Sequence, residues 1–293
     1  MTANLRLFRA PEDVRPLRCG TRLDQYRLKG RLGEGGFATV YSAYDNERGR
    51  LVAIKIPESR YVSNQQTLCD LKREVEIMDS VKHPAILPLI ESRIIDGYFV
   101  IVTPLGQETL ADRMMRRMSR PTAMQLIYQM TEAIGFAHDR EVLHRDVKPE
   151  NFILFSGNEV RLTDFGLARI EHCRYEDSAS GTLGYIAPEQ ALGKPGYPSD
   201  VFSLGMIVYR MLSGELPEYP FQAPLPGFNK LRRGVSRPFV DWVRKAIDPS
   251  PAKRFRTAGA MHRALKKIAN PLSGKSDLEK FHVSVRRHSR RAA

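Results

Sequence analysis

The chain has 293 residues, of which 42% are hydrophobic and 27% are charged, and its formal net charge is +13. This length and balance are typical of a globular protein with one large or two smaller domains, and the absence of any apolar run of about 18 residues argues against a transmembrane segment. The three cysteines share no metal-ligand spacing, so we expect reduced thiols and a cytoplasmic location.

The positive charge lies largely in short runs, namely Arg116-Arg117, Arg232-Arg233 and residues 285–293. A strong basic excess usually indicates nucleic acid, an acidic membrane or a phosphorylated ligand as partner. Because the runs are far apart in the sequence and no nucleic-acid-binding motif accompanies them, we interpret them as a solvated surface and expect no nucleic-acid partner. The last run is interpreted as a disordered, solubilising tail; a docking tail, a phosphorylation site at Ser289 and a membrane-surface patch are the alternatives.

The first third of the chain is an extension followed by strand patterns. Residues 1–24 mix proline, arginine and acidic residues without sustained periodicity, and we interpret them as an N-terminal extension. Alternating or β-branched apolar residues predict four strands, around 26–32, 37–44, 51–56 and 98–102. Between the third and the fourth of these strands, residues 65–80 have apolar side chains at helical spacing and predict one helix.

Beyond the fourth strand the apolar spacing becomes helical. One helix is predicted to open at Pro121-Thr122, and a second to begin with Ser199 as its cap and to end at Gly214. Two more helices are predicted at 239–247 and 258–270. The second part of the chain is therefore predicted to be mainly helical.

These two textures predict an α+β fold with two lobes. The β-rich N-lobe, with one helix, is expected at 25–103, the mainly helical C-lobe at 104–270, and a basic C-terminal tail at 271–293. The junction of two lobes is a natural place for a ligand cleft.

The segment LGEGGFATV (32–40) places three glycines in a turn between two predicted strands. Glycines allow a backbone to come close to phosphates, and successive N–H groups can then bind the anion. The segment is not a P-loop, because no Gly-Lys-Ser/Thr follows, and not a dinucleotide fingerprint, because no helix opens after it. On its own it fits a phosphate-binding loop and an ordinary β-turn equally well.

Lys55 is a single charge within the apolar strand VAIKI. A lysine in a buried strand is costly unless it is paired, so this side chain needs an anion. Glu74 and Glu76 in the following helix are the candidate partners. Two interpretations stand: a structural Lys–Glu pair, and a lysine shared between a helix glutamate and a nucleotide phosphate.

The segment HRDVKPEN (144–151) places Asp146, Lys148 and Asn151 close together, beside a proline that prevents a regular helix. Asp164 follows a short predicted strand in LTDFGLAR and stands just before Phe-Gly. Asn151 and Asp164 offer hard oxygen ligands suited to Mg²⁺. Asp146 can accept or orient the proton of an attacking hydroxyl, and Lys148 can neutralise a transferred phosphoryl group. Phosphoryl transfer needs this combination of base, metal and charge neutralisation.

Five motifs occur in the order and approximate spacing of the protein kinase family: GEGGFATV, VAIK, HRDVKPEN, DFG and APE. Over residues 25–270 the chain therefore resembles that family. Lys148, two residues after Asp146, together with Thr182 in GTLGY, resembles the serine/threonine branch, and GGFATVY with YIAPEQ resembles the eukaryotic-like kinases of bacteria. The resemblance implies a bilobal fold with ATP in the cleft and Mg²⁺, or Mn²⁺, as the metal ion.

The resemblance assigns roles position by position. It implies that Asp146 is the catalytic base, that Lys148 and Lys55 act on phosphate groups, and that Asn151 and Asp164 hold the metal. The nucleotide-binding positions that it implies are Leu32, Gly33, Gly35, Val40, Ala53, Lys55, Glu74, Val102, Thr103, Leu105 and Ile153.

Within the implied nucleotide site, Val102 is expected at the back of the adenine pocket and Thr103–Leu105 as the hinge, while Glu74 pairs with Lys55 unless Glu76 does. The chain departs from the family pattern at the hinge, where Pro104 has no N–H, so hydrogen bonds to adenine must come from its neighbours.

Other matches have structural roles in the family. Glu189 and Arg254 resemble its buried ion pair in the larger lobe, and Asp200 resembles the aspartate that braces the catalytic loop. Two further departures are Ala38 in place of the third loop glycine and Phe202 in place of a usual tryptophan.

The stretch 164–189 is the candidate activation segment. Ser178, Ser180 and Thr182 are candidate phosphosites, with Tyr175 competing and an unmodified loop as the alternative. Arg145, next to Asp146, is a cation that a phosphate in this segment could engage.

The predicted function is ATP- and Mg²⁺-dependent phosphate transfer to serine or threonine hydroxyls of protein substrates, with autophosphorylation in the activation segment. A nucleotide-binding pseudokinase or scaffold is the alternative; small-molecule kinases of related fold generally lack APE. An adaptor or regulatory protein is expected to be reached through residues 1–24 or 271–293.

Overall fold

The computed structural model describes residues 17–34, 38–57, 75–165, 183–268 and 272. These residues fall into two compact units. Unit 1 comprises the chain up to Lys82 together with Leu87–Gly106, and unit 2 comprises His83–Ile86 and the chain from Gln107 onward. Unit 1 is built on one large sheet and unit 2 mainly on helices, so the predicted α+β fold with two lobes is confirmed.

The short segment His83–Ile86 belongs to unit 2 because it pairs with a strand there. The N–H of Leu162 donates a hydrogen bond to the carbonyl of Ala85 at 2.9 Å, and Ile86 forms a parallel bridge with Leu162. The sequence had predicted a single crossing from one lobe to the other at residue 103. Instead, His83–Ile86 belong to unit 2, and the chain then returns to unit 1, where Leu87–Gly106 complete the sheet.

The described residues of unit 1 form a six-stranded antiparallel sheet with the order β1-β2-β3-β4-β6-β5. All four predicted strands are present, and residues 75–80 are helical, in agreement with the described end of the predicted helix at 65–80. Two strands had not been predicted, because one is too short for any pattern and the other mixes charged and apolar residues. The strands are β1 Arg22–Leu23, β2 Tyr26–Glu34, β3 Ala38–Asp45, β4 Arg50–Pro57, β5 Glu91–Ile95 and β6 Tyr98–Pro104.

The core of unit 1 lies on one face of this sheet. In β4 the side chains of Val52, Ile54 and Ile56 alternate inward and are buried, whereas Ala53 and Lys55 lie on the other face. Burying each such aliphatic side chain stabilises the fold by about 1.5–3 kcal/mol. This alternation fixes the register of β4 and thereby the face on which Lys55 emerges.

Unit 2 contains seven α-helices among its described residues and a three-stranded sheet with the order β7-β8-β9. Within the described ranges, no helix has both the length and the apolar character that crossing a membrane requires. The helices are α1 Leu110–Met114, α2 Arg120–His138, α3 Pro188–Ala191, α4 Tyr197–Ser213, α5 Phe228–Arg233, α6 Arg237–Ala246 and α7 Ala258–Lys266. The strands are β7 Glu108–Thr109, β8 Phe152–Phe155 and β9 Glu159–Leu162.

Helix α4 begins earlier than its sequence suggested. Ser199 was predicted as the cap, but the helix starts at Tyr197, and the N–H of Gly196 donates to the Ser199 hydroxyl at 3.1 Å. The prediction of the cap was wrong because Ser199 acts from inside the first turn, reaching back to the residue before the helix. The predicted end is confirmed: Gly214 has φ 77°, a left-handed conformation that glycine adopts without steric cost.

A buried histidine, His262 on α7, lies against α2. Its Nδ1 is 2.8 Å from the hydroxyl of Thr131, which itself donates to the carbonyl of Ile127 at 2.9 Å, so Nδ1 is the donor and Nε2 carries no proton. Nε2 is buried and has no hydrogen-bond partner among the described residues. Burial, with the nearby charges of Lys266 and Arg263 and of His83, lowers the pKa of His262 to about 4.

We expect the stability of the protein to fall between pH 6.5 and pH 4, in part because of His262. In the unfolded chain this imidazole binds a proton near its ordinary pKa, whereas the folded state resists protonation, so acid favours unfolding. The contribution is about 2 kcal/mol at pH 5. Urea unfolding of the wild type and of His262→Gln at pH 7 and pH 5 measures it. An equal loss of stability in both proteins would show that other groups are responsible.

Candidate active site

The predicted catalytic segment lies in unit 2, between the end of α2 and β8. Pro149–Asn151 form a short 3-10 helix directly before β8. Arg145 has φ 68°, in the left-handed region that non-glycine residues seldom adopt. Such a conformation persists only where neighbouring groups hold the backbone.

Asp146, Lys148 and Asn151 meet through their side chains. The Nζ of Lys148 lies 2.8 Å from Oδ2 of Asp146. The Nδ2 of Asn151 donates to the same carboxylate oxygen at 2.9 Å and to the backbone carbonyl of Asp146 at 2.8 Å. The side chains of Asp146 and Lys148 are 19% and 17% exposed, so the pair is partly shielded but still accessible to a reactant. We call this group the catalytic cluster, after the role that the sequence predicts for it.

Asn151 also connects the catalytic cluster to Asp164. Its backbone carbonyl accepts a hydrogen bond at 2.9 Å from the N–H of Thr163, the residue before Asp164. Because the Nδ2 of Asn151 is used by Asp146, Oδ1 is its atom suited to a metal ligand, and the Asp164 carboxylate offers further hard oxygens. Among the described residues, no group of three or more His, Cys, Asp or Glu side chains could hold a metal. The donors at Asn151 and Asp164 fit a magnesium ion that takes its other ligands from water and phosphates.

His144 links the same two segments from inside unit 2. The N–H of Asp146 donates to its Nδ1 at 3.3 Å, so Nε2 carries the proton and donates to the carbonyl of Thr163 at 2.9 Å. The buried ring also contacts the ring of Phe165, with centroids 5.0 Å apart. The tautomer of His144 is thus set by two backbone groups, the N–H of Asp146 and the carbonyl of Thr163.

Asp200, near the start of α4, holds the backbone that leads to Asp146. Its carboxylate accepts hydrogen bonds from the N–H groups of His144 and Arg145, both at 2.9 Å. It also lies 2.9 Å from Nε2 of His138, which the sequence had not singled out. The bracing role predicted for Asp200 is therefore confirmed.

The role of Gln190 was also not predicted from the sequence. Its Nε2 donates to the carbonyl of Arg145 at 2.5 Å, and its side chain is only 2% exposed. Since the N–H of Asp146 donates to His144, both polar atoms of the peptide unit that precedes Asp146 are hydrogen-bonded. No local pattern marks a glutamine in a four-residue helix for such a role.

The ion pair predicted between Glu189 and Arg254 is present. The two guanidinium nitrogens donate to the two carboxylate oxygens of Glu189 at 2.7 and 2.9 Å, and the Arg254 side chain is fully buried. Burial acts to raise the pKa of Glu189, but hydrogen bonds from Arg254 and Ser199 outweigh it, so the pKa lies below its ordinary value.

In unit 1, three of the predicted nucleotide-binding residues share one face of the sheet. Val40 is opposite Lys55 in the β3–β4 ladder, and Ala53 precedes Lys55 by two positions. Directly opposed residues in antiparallel strands point to the same face. Gly33 is opposite Val40 in the β2–β3 ladder. Val40, Ala53 and Lys55 therefore emerge together, opposite to the core.

Val102 does not lie on that face. It is opposite Ile54 in the β4–β6 ladder, and both side chains are fully buried in the core of unit 1. Thr103, one residue later, is opposite Ala53 and shares its face. The location of Val102 behind an adenine ring stays a prediction.

The remaining nucleotide-binding candidates that the structure describes lie on different elements of the two units. Leu32 in β2 is 54% exposed, and Leu105 follows the end of β6 and is partly buried. Ile153, in β8 of unit 2, is also partly buried. Glu76, the fallback partner for Lys55, is exposed on the helical residues 75–80.

Several predicted positions lie outside the described residues, and the assignments that rest on them stay predictions. These are Gly35 in the glycine loop, Glu74, and the candidate phosphosites Ser178, Ser180 and Thr182.

Comparison with known proteins places this geometry in a family. The protein kinase domain family matches residues 26–262. CBL-interacting protein kinase 30 of Oryza sativa subsp. japonica is 38% identical over 268 residues, which cover 82% of this chain and 54% of that protein. CBL-interacting serine/threonine-protein kinase 20 of Arabidopsis thaliana is 31% identical over 274 residues, covering 86% of this chain and 62% of that protein. The chain thus spans less than two thirds of the length of these relatives.

Solved structures show the same fold. The Mycobacterium tuberculosis PknI kinase domain matches with a TM-score of 0.66 at 22% identity, covering 86% of this chain and 99% of that one. The apo form of PpkA-294 matches with a TM-score of 0.72 at 23% identity, covering 85% and 99%. Because the family match extends over most of the sequence and agrees with the geometry around Asp146, the chain belongs to the protein kinase family, and its resemblance to the serine/threonine branch is confirmed.

Proposed function

We propose that the protein transfers the γ-phosphate of ATP to serine and threonine hydroxyls of protein substrates, with magnesium as the metal ion. The observation that carries this proposal is the catalytic cluster, in which Lys148 and Asn151 both contact the carboxylate of Asp146. A carboxylate held in this way is available to accept or orient the proton of a substrate hydroxyl.

Lys148, Asn151 and Asp164 of unit 2 are proposed to neutralise the negative charge of the phosphates, directly or through the metal ion. Lys148 neutralises the phosphoryl group in transfer, since its ammonium already lies beside the base. Asn151 and Asp164 hold the magnesium ion, which supplies charge neutralisation at the phosphates when it is bound. Manganese, which takes similar oxygen ligands, is the alternative ion.

Unit 1 is proposed to bind the nucleotide through the face that carries Val40, Ala53 and Lys55. A lysine ammonium is a suitable partner for the α- and β-phosphates, and the neighbouring apolar side chains suit the adenine ring. Pro104 donates no hydrogen bond, so Thr103 and Leu105 provide the backbone contacts at the hinge.

Autophosphorylation in the activation segment is proposed on chemical grounds. Ser178, Ser180 and Thr182 supply hydroxyls, and the guanidinium of Arg145 would favour a phosphate near the base. Regulation through an adaptor protein stays a prediction from the sequence.

The test is mass spectrometry of the intact purified protein before and after incubation with Mg²⁺-ATP, followed by peptide mapping. The expected result is a gain of whole phosphate groups on serine or threonine, which EDTA abolishes. Saturable ATP binding without transfer to itself or to any protein substrate would instead establish a nucleotide-binding scaffold.

A further inference from the structure

Nearly all of the positive charge excess resides in three segments of the chain. Residues 113–120 and 230–237 each contain four basic residues and no acidic residue. Residues 273–293 contain six basic and two acidic residues. The segments account for +12 of the net charge of +13, so the rest of the chain is close to neutral.

The fold of unit 2 brings the first two segments together. Arg120 is the first residue of α2, and Gly234 directly follows α5. A Cβ atom built on Gly234 would lie 1.9 Å from Nε and 2.3 Å from Nη2 of Arg120, so the guanidinium rests directly on the glycine backbone. The two segments are separated by more than a hundred positions in sequence but touch at this contact between Arg120 and Gly234.

We define the basic surface as the eight basic residues of these two segments. Seven of the eight are exposed, and Arg113 is partly buried. Arg116 pairs with Glu108, and Lys230 lies 3.6 Å from Glu215, yet the two cations remain 63% and 70% exposed. The eight residues are Arg113, Arg116, Arg117, Arg120, Lys230, Arg232, Arg233 and Arg237.

The third basic segment follows directly after Leu272, a residue that contacts the second segment. Leu272 forms an antiparallel bridge with Val235 and is 2% exposed. Val235 lies within the second segment of the basic surface, between Gly234 and Arg237. Leu272, at the edge of the basic surface, is thus the residue that directly precedes the basic sequence 273–293.

An apolar side chain accompanies these charges. Met115, directly before Arg116, is 79% exposed and is the most exposed large hydrophobic residue that the structure describes. A thioether among arginines suits a boundary between water and hydrocarbon, where the sulfur-bearing chain can insert while the guanidinium groups remain with the headgroups.

From this juxtaposition we propose that the basic surface docks unit 2 onto an anionic lipid bilayer. A cluster of Lys and Arg beside an exposed apolar side chain is the pattern that binds such surfaces. Nucleic acid is a poorer fit, because the described residues of the two segments include no exposed aromatic side chain for base stacking. An acidic protein segment is also a poorer fit. Such a partner would favour a groove for its backbone, whereas these charges lie on two separate chain segments beside the exposed side chain of Met115.

The test is co-sedimentation of the full-length protein with vesicles of phosphatidylcholine alone and with about 30% phosphatidylserine, at low and high salt. We expect binding only to the anionic vesicles and its loss at high salt. Since each basic side chain near an anionic surface contributes about fivefold, Arg117→Gln with Arg232→Gln should weaken binding roughly thirtyfold. Met115→Ser should weaken it further.

The matched control removes the same charge from unit 1, through Arg27→Gln with Lys29→Gln, which are both exposed. Equal losses in the two double variants would overturn the proposal, since net charge rather than this surface would then bind. Equal binding to uncharged vesicles would overturn it too, as would binding to poly-glutamate without binding to phosphatidylserine. Asp146→Asn should bind vesicles like the wild type, so this result does not depend on the proposed phosphate transfer.

Discussion

Replacing Asp146 by asparagine is expected to lower the rate of phosphate transfer by about 10²–10⁴-fold, the range typical for removal of a general base. The substitution keeps the shape of the side chain but removes its charge and its ability to accept a proton. Lys148, whose ammonium lies 2.8 Å from the carboxylate, loses its counter-charge. The measurement is the steady-state rate of transfer from labelled ATP to a serine-containing protein substrate.

Binding and stability should change little in the Asp146→Asn variant. The backbone contacts at this position, from Asn151 to its carbonyl and from its N–H to His144, do not involve the carboxylate and should persist. Asp241→Asn, the same exchange at an exposed position of α6, is the matched control and should retain full activity. A rate within threefold of the wild type for Asp146→Asn would show that another group is the base.

Replacing Arg254 by methionine is expected to reduce the free energy of unfolding by about 3–5 kcal/mol, the cost of breaking a buried ion pair on one side. Glu189 would keep its charge without the guanidinium that now pairs with both of its oxygens. The same guanidinium group donates to the backbone carbonyls of Asp248, Pro198 and Pro249. These acceptors would lose their donor, and the turn before α7 would lose its attachment to α3.

Urea unfolding monitored by circular dichroism measures the loss. The matched control is Arg256→Met, two residues further along and exposed to solvent, for which we expect a change below about 0.5 kcal/mol. If the Arg254→Met protein is too unstable to purify, Glu189→Gln tests the same pair with a milder change. Equal stability of the Arg254 and Arg256 variants would show that the pair contributes nothing.

The catalytic cluster could be predicted because its members are close in sequence. Asp146, Lys148 and Asn151 lie within six positions, so a short loop is enough to bring them together, and the contacts between their side chains follow. The strands of unit 1 were predictable for a similar reason, since the alternation in β4 is a local pattern that directly determines which side chains are buried.

Contacts between distant parts of the chain left no local pattern. Gln190 and His138 reach the backbone around Asp146 or its partner Asp200 from other helices, and nothing in their neighbourhoods marks them. The meeting of Arg120 with Gly234 is of the same kind, because a glycine after a helix ordinarily indicates only a helix end. For the same reason, the basic runs were interpreted as separate from one another, because a sequence pattern does not show contacts between distant segments.

The way the Arg145–Asp146 peptide is held bears on when the protein becomes competent during synthesis. Asp200 and Gln190 lie 55 and 45 residues after Arg145. When HRDVKPEN has emerged from the ribosome but α3 and α4 have not, the nascent chain has the motif without the side chains that hold its left-handed turn. Such contacts form late, because a long loop must close before they stabilise anything. A truncated product ending before Gln190 would therefore retain Asp146, Asn151 and Asp164 in sequence while lacking the side chains that hold the backbone before Asp146.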